Sequence, residues 1–99
     1  MNAVLLGLVL LPLAVAQSET KFAPPVRLSA GNQLLGAHRL FPSPVLHDVN
    51  GDGLADIVVG DLWGKLTVAL RSSAADPRAF AAETDLMAAD GKAIDFHNW

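Results

Sequence analysis

Nine residues constrain this chain more than any others: Asp48-Val49-Asn50-Gly51-Asp52-Gly53-Leu54-Ala55-Asp56. Written as D-x-N-x-D-G-x-x-D, they set side-chain oxygens at loop positions 1, 3, 5 and 9, with the Leu54 carbonyl available at position 7. A backbone wrapping a cation turns every second residue inward, so alternate oxygens suit a hard ion, and Gly53 permits the sharp turn. Three carboxylates held this close repel one another by roughly 1 to 4 kcal/mol per pair, depending on the local dielectric. A divalent cation removes that conflict. The donor set favours calcium over magnesium, which takes fewer protein oxygens, and over zinc, because no cysteine or well-spaced histidine joins it. A solvated Asp/Asn/Gly turn without metal is the alternative.

The flanks of the loop read as strand. Residues 55–59 (Ala-Asp-Ile-Val-Val) are apolar on both faces, as in a strand covered from two sides. Leu66, Val68 and Leu70 alternate with Lys65, Thr67, Ala69 and Arg71, which predicts one buried face. Between them, the glycines of Gly60-Asp61-Leu62-Trp63-Gly64 predict a tight reversal, so residues 55–71 form a β-hairpin. A strand is expected before the loop over residues 44–49 and another after the hairpin over residues 84–89. Pro24-Pro25 and Pro42-Ser43-Pro44 interrupt any long helix, and no 12-residue stretch has helical periodicity.

Composition separates the chain into two parts. Thirteen of the first sixteen residues are apolar and none is charged, whereas 38 of the remaining 83 are apolar, an ordinary globular proportion. The apolar run over residues 3–16 is too short for a ~30 Å hydrocarbon core and ends in Ala14-Val15-Ala16, a small-x-small cleavage pattern. A signal peptide over residues 1–16 is therefore expected, although its n-region, Met1-Asn2, lacks Lys or Arg. It implies a secreted, extracellular or periplasmic protein without a membrane span. Seven Lys/Arg against ten Asp/Glu give a net charge of -3, which argues against nucleic acid as partner. With no cysteine, disulfides and cysteine-based metal sites are excluded.

Shifted against itself by 58, the chain aligns Phe22-Ala23 with Phe80-Ala81, Leu28 with Leu86, Ala30 with Ala88 and Phe41 with Trp99. This predicts a short flexible terminus over 17–21, a repeat over 22–79 and the start of a second over 80–99. A repeat that buries its faces only against neighbours needs those neighbours for stability. On this reading the chain stops before the counterpart of Asp48 and is a fragment of a longer array.

Residues 43–60, S-P-V-L-H-D-V-N-G-D-G-L-A-D-I-V-V-G, followed by Lys65-Leu66-Thr67-Val68, resemble the FG-GAP or VCBS repeat. The resemblance implies an all-β fold, an antiparallel four-stranded blade of an integrin-like β-propeller. It also implies calcium clamping the hairpin loop, with Asp48, Asn50, Asp52 and Asp56 as side-chain ligands and Leu54 as a carbonyl ligand. Members of this family serve adhesion or recognition, which implies protein or carbohydrate partners for a complete propeller. The name-giving Phe-Gly and Gly-Ala-Pro dipeptides are missing here, which blurs the subtype. Dockerin and EF-hand loops open similarly, but they place an acidic ligand at position 12, where this chain has Val59, and continue as helix.

No nucleophile lies near a base in any recognised pattern, so a catalytic site is not expected. If chemistry belongs to the protein, this segment is the non-catalytic scaffold of a larger extracellular enzyme. His47 precedes the first ligand and, by strand alternation, is expected to face away from the ion. His38 and His97 fall 59 residues apart, near matching places in the two repeats. Asp61 reads as a turn residue or as an acid supporting the loop. Trp63 is either packing or a sugar-stacking platform.

Overall fold

A computed structural model describes residues 3, 4, 7 and 19–97. The predicted signal peptide lies outside the described residues apart from residues 3, 4 and 7, as do residues 17 and 18 of the predicted terminus and Trp99. Among the described residues the fold is all-β, with no helix and two antiparallel sheets. Strands β1 (Ser29–Ala30) and β2 (Gln33–Leu34) form a small hairpin. Strands β3 (Ser43–His47), β4 (Asp56–Gly60), β5 (Leu66–Ala69) and β6 (Thr84–Asp85) form a four-stranded meander in chain order.

The register of the meander decides what each face carries, because residues directly opposite on neighbouring strands share a face. One row runs Leu46, Ile57, Ala69 and a second Pro44, Val59, Thr67. Ile57, Val59 and Ala69 from these rows join Ala30 and Phe80 in the core, with Leu28 and Leu35 packed against it. The opposite face carries Val45, Val58 and Val68. The predicted double coverage of β4 is found in part: Ile57 and Val59 are buried towards the core, while on the other face Asp56 is buried and Val58 is only half-buried. β3 is an edge strand, and all five of its residues are exposed.

Three local expectations need correction. β5 is not half-exposed. Thr67, Val68 and Ala69 are all buried, while Leu66 and Leu70 are only partly covered. Thr67 tolerates burial because Arg39 donates to its hydroxyl and that hydroxyl donates to Glu83, both at 2.8 Å or less. Of the two glycines at the β4–β5 reversal, only Gly64 has positive φ, at 85°; Gly60 ends β4 in extended conformation. Finally, the strand predicted over 84–89 stops at Asp85, and the chain turns back on itself through a Met87–Ala93 bridge.

Candidate metal centre

The β3–β4 connection is organised by its own acidic side chains. Asp48 accepts the Gly51 N–H on one carboxylate oxygen and the Gly53 N–H on the other, each at 2.8 Å. Asn50 Oδ1 accepts the Asp52 N–H at 3.2 Å, and Asp52 Oδ1 accepts the Leu54 N–H at 2.9 Å. These short-range bonds replace ladder pairing and keep the loop turning, a role suited to Asp and Asn. Gly51 and Gly53 take φ of 76° and 82°, a region closed to most side chains, which accounts for glycine at both. The Gly53 N–H holds the Asp48 carboxyl below the usual carboxylate range. Desolvation opposes it, and the amides of Gly51 and Asp52 and the charge of His47 reinforce it.

Asp56 behaves differently from the other predicted ligands. It is fully buried, and its two oxygens accept the Val49 N–H at 2.9 Å and the Arg71 N–H at 2.8 Å. It therefore ties the beginning of the loop to Arg71, two residues beyond β5. His47 stands directly opposite Asp56 in the β3–β4 register, so it shares the face of that predicted ligand, contrary to the expectation that it turns away. It is itself exposed.

Asp48, Asn50, Asp52 and Asp56 thus belong to one loop, yet among the described residues no group of three or more His, Asp or Glu side chains converges closely enough to hold a metal ion. The donors available are all oxygens, the Asp48 carboxyl is held ionised, and each carboxylate that accepts an N–H keeps lone pairs free. In kind this donor set fits a hard cation.

A second polar cluster, at the opposite end of β4, was not foreseen beyond Asp61. The Arg39 Nε donates to Asp61 Oδ2 at 2.7 Å, and the two side chains are 10% and 4% exposed. The same guanidinium donates to the Thr67 hydroxyl and to the carbonyls of Lys65 and Val59. Asp61 also accepts the Lys65 N–H, and Glu83 accepts the Gly36 N–H. Partial burial pushes the Asp61 carboxyl up. The Arg39 hydrogen bond, the Lys65 amide and the Arg39 charge outweigh that and hold it below the usual range. Asp61 is thus a turn residue locked by a cation. Only Asp61 beside two turn glycines could have signalled it; Arg39 carries no local motif. Trp63, at the tip of this reversal, is 60% exposed.

Neither protein-family models, curated proteins nor solved structures yield a match to this chain. The described residues also contain no helix long and apolar enough to cross a membrane.

Proposed function

We propose that this chain is a secreted, calcium-binding β-propeller segment of the FG-GAP/VCBS type. In this reading residues 43–85 form a blade and the ion orders the β3–β4 loop. The observation that carries it is the closure of residues 48–54 around the Asp48 carboxylate between two antiparallel strands, with oxygen side chains at alternate positions and no cation paired with them among the described residues. Asp48, Asn50, Asp52, Asp56 and the Leu54 carbonyl hold the calcium. When bound, the ion neutralises the three carboxylates and fixes the loop. The strand that follows the loop favours this reading over an EF-hand or dockerin, both of which continue as helix.

A need for neighbouring blades is supported by the exposed edge. Val45 and Leu46 of β3 are 58% and 65% exposed, and an open apolar groove of about 530 Å³ runs between β3 and Leu28 and Leu35. The role is structural, in adhesion or recognition, with protein or carbohydrate bound by the assembled propeller and no catalytic residue in this segment. Secretion rests on the apolar leader that ends at Ala16. Calorimetric titration with calcium tests the site: Asp52→Ala is expected to weaken binding by about tenfold or more, some 1.4 kcal/mol. Unchanged affinity in that variant removes the ligand assignment.

A further inference from the structure

The asparagines of the chain are Asn2, Asn32, Asn50 and Asn98, and only Asn50 is followed by glycine. An asparagine side-chain amide is open to attack by the backbone nitrogen of the next residue, which closes a five-membered ring. A β-carbon on that next residue crowds the attack, and glycine has none. A fold permits the reaction where that nitrogen is uncovered and the backbone around it is free to turn. The β3–β4 loop meets both conditions. Asn50 and Gly51 are exposed and lie outside the strands. No atom lies within 4 Å of the place a Gly51 β-carbon would take.

The Asn50 side chain is also folded along its own main chain. Its Oδ1 accepts the Asp52 N–H at 3.2 Å, and the ring closed by this bond contains the Gly51 nitrogen, so the amide carbon is kept on the side of its attacker. The Gly51 N–H donates to Asp48 Oδ1 at 2.8 Å, but that bond lies in the peptide plane, whereas attack uses the face of the plane. Asn32 is the internal contrast. It too is exposed, but the residue after it, Gln33, carries a side chain and is paired with Ala30 in the β1–β2 hairpin. Asp52-Gly53 and Asp90-Gly91 have the spacing for the same ring, but an ionised carboxylate accepts a nucleophile poorly, and ring opening only returns a carboxylate.

We infer that Asn50 is a self-modifying site, at which the loop converts its own asparagine to aspartate and isoaspartate. The Gly51 nitrogen bonds to Asn50 Cγ as its proton passes to water, and the side-chain nitrogen leaves as ammonia. The resulting succinimide takes up one water. Opening of the new Cγ–N bond leaves aspartate on the original main chain. Opening of the older carbonyl C–N bond routes the main chain through Cγ and leaves isoaspartate. Neither product requires an oxidant, a reductant or an enzyme, and both put a further carboxylate into the acidic loop. Only isoaspartate adds a carbon to the backbone, which shifts Gly51 and Gly53 away from the two Asp48 oxygens that hold them.

Peptide mapping by mass spectrometry tests this on the full-length chain, incubated near neutral pH at physiological temperature in chelator, beside a sample unfolded in urea. Position 50 is expected to become about 1 Da heavier, as an aspartate and isoaspartate pair, while Asn32 stays intact. The rate should lie within several-fold of that of the unfolded chain. Gly51→Ala should slow the conversion several-fold, and Asn50→Gln should abolish it over the same period, because the longer side chain must close a larger ring. An intact Asn50 in the folded chain beside conversion in urea overturns the assignment, as does conversion of Asn50 no faster than that of Asn32. Any effect on the ion rests on the calcium reading proposed above, so calcium is added in a separate series. If Asn50 is a ligand, saturating calcium holds its oxygen and slows the conversion several-fold. A rate unchanged by calcium, in a chain shown by calorimetry to bind it, removes Asn50 from the ligand set and leaves the modification standing. Absence of calcium binding altogether overturns that reading and not the modification.

Discussion

The two ends of β4 are both arranged by aspartates that accept main-chain N–H groups, yet they have opposite electrostatics. At the Gly60 end, Asp61 is paired with Arg39, and both side chains are nearly excluded from water. At the Asp56 end, Asp48 and Asp52 accept loop amides and, among the described residues, have no Lys or Arg beside them. A buried carboxylate with its cation in place is costly to break, because removing one partner leaves an uncompensated charge, and it has little left to offer a ligand. Under the proposed reading, a loop without a Lys or Arg partner among the described residues is the one left to take a cation from solution. Under the proposed reading, one turn serves stability and the other ligand binding.

Arg39→Ala breaks the closed end and is expected to cost the most. It leaves the nearly buried Asp61 carboxylate without its cation and removes a donor from the Thr67 hydroxyl and from two carbonyls, and its thermal midpoint should fall more than that of any other single change in the sheet, without recovery in calcium. Asp56→Ala sharpens the boundary, since Asp56 belongs to the loop by position and to the core by burial. Losing its bonds to the Val49 and Arg71 amides should cost on the order of 3 kcal/mol in urea unfolding. If that loss is the same with calcium absent, Asp56 acts first as a structural latch.

Acid unfolding separates the two ends by a different route. Asp48 and Asp61 are both held below the ordinary value of 3.8, so each contributes stability that is present above that value and lost as pH falls through its lower folded value. Calcium should shift the Asp48 part of the acid limb to lower pH and leave the Asp61 part unmoved, as followed by the carboxyl resonances. The smallest effect is expected from Lys65→Ala. Its pair with Asp85 lies half in solvent, at 51% and 45% exposure, and should contribute under about 0.5 kcal/mol.

Much of the meander is legible in the sequence because glycine, proline and apolar runs act locally. The both-face apolar pattern of residues 57–59 locates β4, and Pro44 marks the edge strand, where a missing N–H costs least. The acidic loop is legible for the same reason, as its side chains bond within five residues of themselves. What escapes is non-local. Thr67 is polar, so alternation sends it outward; its burial depends on Arg39 and Glu83, 28 and 16 residues away. The double capture by Asp56 likewise depends on Arg71 arriving from 15 residues on. The hairpin at 29–34 leaves only a Gly-Asn pair as signal.

Pro24 and Pro25 have a consequence for the life of the free chain. A segment outside the sheets that carries exposed Phe22 and Val26 is the kind of stretch on which unrelated strands stack into aggregates. Two adjacent prolines remove two successive donors, so an uninterrupted ladder cannot propagate through the segment. The apolar side chains this stretch exposes are thus carried on a backbone that makes a poor template for fibrils.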